Sequence, residues 1–208
     1  MSQLPLFDET GSRSLAEARA EVFECRLCDL WKSGTRAVFG SGDPKARLLV
    51  LGEAPSETDL RSGEPFSGPS GGPLDEWLAR LGLTRERVWL TNIVKHRPFV
   101  IERGREKNRP PRASESRACG VWLDIELRAV KPQVILALGG SAGKALLGKD
   151  FKISQDRGRL FPGPDGSSVL ATYHPAYLLR LESPELETAE ALVASDLDIV
   201  SRRLAELA

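Results

Sequence analysis

Four short and almost uninterrupted apolar runs constrain the fold of this chain more than any other feature of its sequence. They occupy residues 47–51 (RLLVL), 87–91 (RVWLT), 133–138 (QVILAL) and 168–172 (SVLAT), and helical patterns separate them. Strands that are apolar on both sides and alternate with helices are typical of parallel sheets covered on both faces. We therefore predict a single-domain, three-layer α/β/α fold of the α/β class, built around a central four-stranded parallel sheet.

The rest of the chain fits one domain and a short tail. A length of 208 residues is enough for one sizeable core, and we expect the domain at 13–208 after a flexible tail at 1–12. Ser14 is expected to cap a first helix, and the last helix is expected at about 184–207. The sequence has no membrane-length apolar run and no secretory signal, so we expect a cytoplasmic protein without membrane association. A monomer is the default expectation for its oligomeric state.

Polar residues follow the predicted strands where each one ends. Glu53 follows the first strand, Asn92 the second and His174 the fourth, while the third ends at a Gly-Gly pair. In open parallel sheets, ligands bind beyond the carboxyl ends of the strands. An asparagine amide offers one donor and one acceptor, which matches a carbonyl beside an N–H on a base edge. Each residue alone has an ordinary structural explanation, such as the end of a strand.

A glycine-rich segment at 68–72 precedes a predicted helix. Its backbone N–H groups beside the positive end of a helix dipole favour an anion, and Ser70 lies in the middle of the segment. The alternative is a plain connecting loop.

Charge is unevenly distributed although the net charge is zero. Residues 95–112 contain seven Lys or Arg and two Glu, whereas the chain from 181 onward contains seven Asp or Glu and two Arg. A basic loop opposite an acidic end suits a protein that presents one face to a polyanion. A solvated loop and an ordinary surface helix are the alternative.

The segments GEAPSE, GEPFSGPSGG, LTNIVKHRP and TYHPAYLLR, taken in this order, resemble the uracil-DNA glycosylase superfamily. The resemblance is strongest to its type 4 enzymes, bacterial and thermophilic proteins with an iron–sulfur cluster, and it extends from about Cys25 to Arg180. It implies an enzyme of base excision repair that flips uracil out of DNA and hydrolyses its N-glycosidic bond, leaving an abasic site.

The resemblance also implies roles for residues near the strand ends. Phe66 corresponds to the aromatic residue that stacks on uracil, Asn92 to the reader of O4 and N3–H, and His174 to the donor at O2. The catalytic candidates are Glu53, Glu57 and His174, since either glutamate is a candidate to position the water. Gly52 and Ala54 complete the expected uracil site.

A further group of residues is expected to contact DNA. Leu178 matches the apolar wedge that enters the duplex, and Arg180 is placed near a phosphate. The expected DNA-contacting residues are Ser70, Arg105, Lys107, Asn108, Arg109, Leu178 and Arg180.

The three cysteines form an odd set that argues against disulfides and in favour of metal or cluster ligation. In type 4 enzymes a fourth cysteine follows the lysine of the TN-x-x-K segment, and here His96 stands at that position. We expect a structural [4Fe-4S] cluster held by Cys25, Cys28, His96 and Cys119. A zinc site with the same ligands, or unligated thiols, is the alternative.

The long loop between His96 and Cys119 resembles a related X-type branch. Those proteins attack the sugar with a loop histidine in the motif Lys-Arg-Arg-Ile-His and stay covalently bound to DNA. The nearest match here is 105–109 (REKNR), with Asn108 where that histidine would stand. An amide is not nucleophilic, so we predict turnover with water and no cross-link.

Residues 3–7 (QLPLF) resemble the pentapeptide by which bacterial repair proteins bind the sliding clamp, although such short matches also arise by chance. Three other functions remain open at this stage. They are a covalent uracil-DNA trap, a glycosylase for another deaminated base such as hypoxanthine, and a non-catalytic DNA or RNA binder.

Overall fold

The computed structural model describes residues 14–207. The expected tail at 1–12, with its clamp-like peptide, lies outside the described residues. The strands are β1 (Ser41–Gly42), β2 (Leu48–Gly52), β3 (Trp89–Asn92), β4 (Phe99–Glu102), β5 (Arg105–Asn108), β6 (Val134–Leu138), β7 (Leu160–Pro162) and β8 (Ser168–Thr172). The α-helices are α1 (Leu15–Val22), α2 (Glu57–Ser62), α3 (Gly71–Arg80), α4 (Ala113–Val130), α5 (Gly139–Leu147), α6 (Ile153–Asp156), α7 (Pro175–Leu178) and α8 (Glu185–Glu206).

The central sheet has six strands in the order β1-β3-β2-β6-β8-β7. The four predicted strands are its parallel centre, and β1 and β7 pair antiparallel at the two edges. The prediction of a four-stranded sheet was therefore wrong in strand number. The edge strands have two and three residues, which is too short for a hydrophobic period to reveal them.

Side chains of the parallel strands alternate between two cores. In β2, Leu49 and Leu51 belong to the core that also contains residues of α1, α4 and α5. Leu48 and Val50 belong to the second core, against α3 and α8. This alternation follows from the two-residue period of a strand, and it accounts for the continuous apolar runs, because both faces of the sheet are covered by helices.

Local signals set the helix boundaries. Ser14 caps α1 by accepting a hydrogen bond from the Glu17 backbone N–H, as its type predicts, and Glu17 returns the bond. The last helix is found at Glu185–Glu206, close to its expected position. None of the helices in the described range is long and apolar enough to cross a membrane.

The basic segment after His96 contains a hairpin rather than an irregular loop. Strands β4 and β5 pair antiparallel through a turn at Arg103 and Gly104, both of which have positive φ (51° and 75°). Two-residue turns in which both residues have positive φ are favoured in hairpins, because their twist matches the right-handed twist of the two strands that they join. The hairpin was not predicted because its second strand, REKN, is fully exposed and has no apolar alternation.

Candidate active site

A pocket of about 690 Å³ opens at the carboxyl ends of the parallel strands. This is the edge where the sequence placed its polar strand ends. The predicted site residues that line it are Glu53, Ala54, Phe66, Ser70, Asn108, Arg109, His174 and Arg180. The lining also includes Tyr173 and Tyr177, whose rings lie 5.0 Å apart between centroids and which the sequence analysis did not single out.

Gly52, Asn92 and Phe66 meet at the end of β2. Gly52 and Asn92 are paired across the parallel strands β2 and β3. A Cβ atom on Gly52 would overlap the Oδ1 atom of Asn92 and lie 2.6 Å from Cζ of Phe66. Only glycine therefore allows the amide and the ring to approach each other at this point.

The amide of Asn92 is buried and partly unsatisfied. Asn92 is 2% exposed, and its Nδ2 atom has no hydrogen-bond partner within residues 14–207. Its side chain does not line the open pocket but lies beside Gly52 and Phe66. Since buried polar groups nearly always find partners, this amide is a candidate ligand-binding group.

Phe66 is held in an unusual backbone conformation by Arg85. Its φ of 58° lies in the left-handed region that a bulky residue rarely adopts. The Arg85 Nη2 donates to the Phe66 carbonyl oxygen at 2.8 Å, and its Nε donates to Asp75 at 2.6 Å. The Phe66 ring is thereby fixed 6.2 Å from the His174 ring, measured between centroids. Strain of this kind is typical of functional sites.

His174 is fixed as a neutral hydrogen-bond donor. Its Nδ1 accepts from the Ala176 backbone N–H at 3.1 Å, so the ring proton belongs on Nε2. Burial, assisted by the positive charge of Arg180, lowers the pKa of His174 to about 4. The imidazole is therefore uncharged at neutral pH, with its Nε2–H available to a ligand.

Glu53 follows β2 and is half-buried in the pocket. Its Oε2 accepts a short hydrogen bond from the Ser141 hydroxyl, near the start of α5. Ser141 was not predicted, because a serine in a small-residue helix gives no distinctive signal. The hydroxyl orients the carboxylate towards the pocket that both residues line.

Asp59 organises the loop that carries Phe66. Its Oδ1 accepts from the backbone N–H and hydroxyl of Ser67 at 2.8 and 2.9 Å, and its Oδ2 accepts from the Ser56 N–H at 2.8 Å. The sequence analysis missed Asp59, although Ser56 and Asp59 have the spacing of a capping box.

A buried ion pair lies directly behind Asn92. The Lys95 Nζ donates to Glu126 Oε2 at 2.7 Å and to the Asn92 carbonyl oxygen at 2.9 Å. The Thr91 hydroxyl donates to the same Glu126 oxygen at 2.7 Å. Neither charged side chain is exposed, so the end of β3 is held by a network that is closed to water.

A second buried carboxylate holds the end of β8. Thr172 donates to Asp196 at 2.6 Å, and Arg157 forms an ion pair with Asp196 at 2.5 Å. The Arg157 guanidinium also lies 5.4 Å from the Tyr173 ring centroid. Both strand ends that carry proposed base-reading residues are therefore anchored by a threonine, a carboxylate and a cation.

The predicted catalytic residue Glu57 and the predicted wedge Leu178 both lie away from the pocket. Glu57 is exposed on α2 and faces Arg61 at 3.6 Å. Leu178 is 5% exposed and packs in the core beside α3 and α8, whereas the next residue, Leu179, is 53% exposed. Of the two predicted glutamates, Glu53 is the one that lines the pocket, and of the two adjacent leucines, Leu179 is the exposed one.

The predicted DNA-contacting residues of the hairpin differ in their surroundings. Arg105 and Lys107 are exposed, and Lys107 pairs with Glu102 at 2.9 Å. Asn108 lines the pocket and accepts from Arg97 Nε at 2.7 Å. Arg109 forms a bidentate pair with Glu115 at 2.7 and 2.8 Å, so its guanidinium is already occupied.

The three cysteines lie in one region around the start of α4. The Cys25 sulfur accepts from Trp122 Nε1 at 3.2 Å, and the Cys119 sulfur accepts from the Lys95 backbone N–H at 3.2 Å. Burial raises the pKa of Cys119 to about 12 and that of Cys28 above its ordinary value, and burial lowers the pKa of His96. Within the described part of the chain, no group of three or more Cys, His, Asp or Glu side chains is arranged to hold a metal ion.

The chain matches one known family over most of its length. The family model of the uracil DNA glycosylase superfamily matches residues 39–197, and the chain belongs to this superfamily. Its relatives include type-4 uracil-DNA glycosylases. The protein from Thermotoga maritima is 37% identical over 79% of this chain and 83% of the relative, and the protein from Archaeoglobus fulgidus is 38% identical over 80% and 83%.

A type-5 uracil-DNA glycosylase from Thermus thermophilus is also similar, at 34% identity over 67% of this chain and 68% of the relative. The resemblance to type 4 enzymes that the motifs predicted is confirmed.

Proposed function

We propose that this protein is a monofunctional uracil-DNA glycosylase of base excision repair. The observation that carries the proposal is the buried amide of Asn92 beside Phe66, whose Nδ2 has no hydrogen-bond partner among the described residues, with the neutral imidazole of His174 next to the same ring. An amide that both donates and accepts matches the O4 and N3–H edge of uracil. Phe66 supplies the stacking surface that an extruded base needs.

The leaving group accounts for the state of His174. Uracil leaves as an anion with charge on O2, so a donor aimed at that oxygen binds the transition state more tightly than the ground state. The neutral His174 already carries a proton on Nε2, so it can donate this hydrogen bond without first being protonated by solvent. The low pKa of His174 suits this role, because the donor stays neutral over the working pH range.

Glu53 is assigned to the sugar and the attacking water. As the bond breaks, the sugar acquires positive character, which a nearby carboxylate stabilises without forming a bond. The Ser141 hydroxyl binds one carboxylate oxygen and leaves the other for a water molecule. Glu57 has no part in this assignment, since it lies exposed on α2.

The proposed DNA wedge is Leu179 rather than Leu178. A wedge has to project from the surface, and only Leu179 does so, beside Tyr177, which is 39% exposed. Arg180 lines the pocket rim and is assigned to a phosphate, and Ser70 lies at the start of α3, where it makes no side-chain capping bond. At the N-terminal end of α3 the Gly71 N–H donates to the Gly68 carbonyl oxygen and Pro73 has no N–H, so the Gly72 N–H is the group proposed to face an anion.

The cysteines and His96 are proposed to hold a structural [4Fe-4S] cluster, with zinc as the alternative. The donor set fits in chemistry, and Trp122 and the Lys95 N–H already donate to two of the sulfurs, as is usual around iron–sulfur clusters. When bound, the group would join the segment after α1 to α4 and to the end of β3. The proposed catalytic steps do not involve it.

Asn108 bears on the proposed absence of covalent trapping. It lines the pocket, where the X-type motif would place its histidine, but an amide does not attack the sugar. Water is therefore the proposed nucleophile, and the DNA product is released.

One assay tests the proposed function. Oligonucleotides carrying uracil, hypoxanthine or a thymine mismatch are incubated with the protein, then split between alkaline cleavage and a denaturing gel without alkali. We expect cleavage at uracil only and no protein–DNA band. Cleavage at hypoxanthine would favour the wider base range, a shifted band would favour the covalent trap, and no cleavage at any base would contradict a glycosylase.

The N-terminal peptide is a separate proposal. Residues 3–7 are proposed to bind a sliding clamp. The protein is further proposed to act as a cytoplasmic monomer. Deleting residues 1–8 should abolish clamp pull-down and leave excision on free oligonucleotides unchanged. The absence of clamp binding by the intact chain would contradict this assignment.

A further inference from the structure

The β4–β5 hairpin projects from the body of the protein. It belongs to a two-stranded sheet separate from the central one, and none of its eight strand residues is buried. Ile101 is 72% exposed, more than any other large apolar side chain that the structure describes, and Val100 beside it is 37% exposed. Apolar side chains this exposed on a basic projection are typical of an interaction surface.

The tip of the hairpin carries unneutralised positive charge. Lys107 is paired with Glu102, and Glu106 is paired with Arg97 at 2.5 Å. This leaves the side chains of Arg103 and Arg105 without an ion pair or hydrogen bond in the part of the chain that the structure describes. Arg103 stands in the turn and Arg105 directly follows it, and the two guanidinium groups complement a polyanion.

The base of the hairpin is fixed to the active-site pocket. Arg97 is 4% exposed and binds both Asn108 and Glu106, so one buried side chain holds the second strand. The Arg109 N–H donates to the Pro98 carbonyl at 3.1 Å and closes the base. Because Asn108 lines the pocket, the hairpin starts at the pocket rim and its direction is set by that rim.

The pocket thus lies between two projecting elements. Residues 108–110 form one part of its rim, and the α7 segment with Tyr177 and Arg180 forms another. With a base extruded into the pocket, the hairpin and the exposed Leu179 would each contact the nucleic acid that flanks this base. A two-stranded ribbon is also an element that a groove of duplex DNA accommodates.

We propose that the β4–β5 hairpin binds the DNA duplex that flanks the extruded nucleotide, so that uracil in duplex DNA is bound more tightly than uracil in a single strand. Arg103 and Arg105 contact phosphates, and Ile101 packs against the sugar and base edges of the groove. The inference rests on the proposed glycosylase function, and it names the form of DNA that this function serves.

The experiment compares one uracil-containing sequence as a single strand and as a duplex. Dissociation constants and single-turnover excision rates are measured for the unaltered chain and for R103A/R105A, at several salt concentrations. We expect the variant to bind duplex about tenfold or more weakly, with the slope of log K against log salt reduced by about two. Its single-strand excision should stay within about twofold.

Two further variants make the comparison specific. Ile101→Ser should weaken duplex binding several-fold without changing the salt slope, because it removes no charge. Arg202→Ala is the matched control, since this exposed arginine lies near the end of α8, where the Leu204 and Leu207 carbonyls bind Arg47 and Gln133 ahead of β2 and β6. That end lies at the edge of the sheet opposite the pocket, and we expect no effect on either substrate.

The outcomes separate this inference from the proposed function. Equal losses on single strand and duplex, or no loss on duplex, would overturn the duplex-binding hairpin while excision itself remained. No excision of uracil from either substrate by the unaltered chain would overturn the glycosylase function instead. Retained single-strand excision also shows that R103A/R105A is folded.

Discussion

The ammonium of Lys95 and the carboxylate of Glu126 lie 2.7 Å apart, and neither side chain is exposed. The pair lies immediately behind Asn92, whose carbonyl oxygen accepts from the same ammonium at 2.9 Å. Burying two charges is costly, and the cost is offset only while every partner is in place. The position of the proposed base-reading amide thus depends on a buried ion pair whose two residues do not themselves line the pocket.

Removing the ammonium should therefore be severe. Lys95→Met leaves the Glu126 carboxylate buried without its counter-charge, and we expect the free energy of unfolding to fall by about 3–5 kcal/mol. Urea denaturation measures it. Arg80→Ala, which breaks the exposed pair with Asp198, is the control and should cost under about 1 kcal/mol. Equal effects of the two variants would show that the buried pair contributes no more than a surface pair.

Gly52→Ala should abolish excision without unfolding the protein. The added methyl group would overlap the Asn92 Oδ1 and press on the Phe66 ring, so it displaces both proposed uracil contacts. We expect excision to fall by about two orders of magnitude or more, as for loss of a directed transition-state contact. Gly120→Ala on α4 is a matched control, because nothing lies within 4 Å of its added methyl group. Normal excision by the Gly52 variant would remove Gly52 from the site.

The two adjacent leucines should give opposite results. Leu178→Ala removes a buried side chain and should lower the free energy of unfolding by about 2–5 kcal/mol. Leu179→Ala should leave that free energy nearly unchanged and reduce excision from duplex DNA. Melting curves and excision assays on both variants make the comparison. Full duplex activity in the Leu179 variant would remove it as the wedge.

His174 should make stability depend on pH in acid. Its pKa is about 4 in the folded protein and near 6.5 when exposed, so its contribution to stability is present above pH 6.5 and is lost as the pH falls towards 4. We expect urea denaturation to show a smaller loss over this window in His174→Gln than in the unaltered chain. At neutral pH the same variant should slow excision far more than it weakens DNA binding. Identical pH curves would place the ring in solvent.

Loss of the proposed cluster should destabilise the region around α4. Cys119→Ser should lose iron and absorbance near 400 nm, and its unfolding free energy should fall, because a structural metal group contributes folding energy. His96→Cys should retain iron, since cysteine is the usual ligand of such clusters. If the purified protein contained zinc and no iron, the cluster assignment would be contradicted and the zinc site would stand in its place.

The sequence was sufficient to predict the parts of the fold that depend on local pattern. The four parallel strands are apolar runs, and the polar residues at their ends identify one edge of the sheet because all four strands point the same way. Asn92 and His174 can therefore be placed at that edge from their positions in the sequence. The motif resemblance then provides their chemistry.

What the sequence did not show depends on contacts between distant residues. Lys95 and Glu126 are 31 positions apart, and nothing local indicates that they meet. Leu178 and Leu179 are indistinguishable until the packing of α7 on α3 and α8 decides which one is buried. The β4–β5 hairpin, with its charged and exposed residues, has no hydrophobic period from which to predict it.

The arrangement at α7 has a mechanical consequence for opening a stacked helix of bases. Stacked bases resist a side chain that is inserted between them, and a wedge on a flexible loop would be displaced by this force. With Leu179 as the proposed wedge, that force would pass along the backbone to the neighbouring Leu178, which is buried in the core. The packed core of the protein, rather than a flexible loop, would then hold the wedge in position.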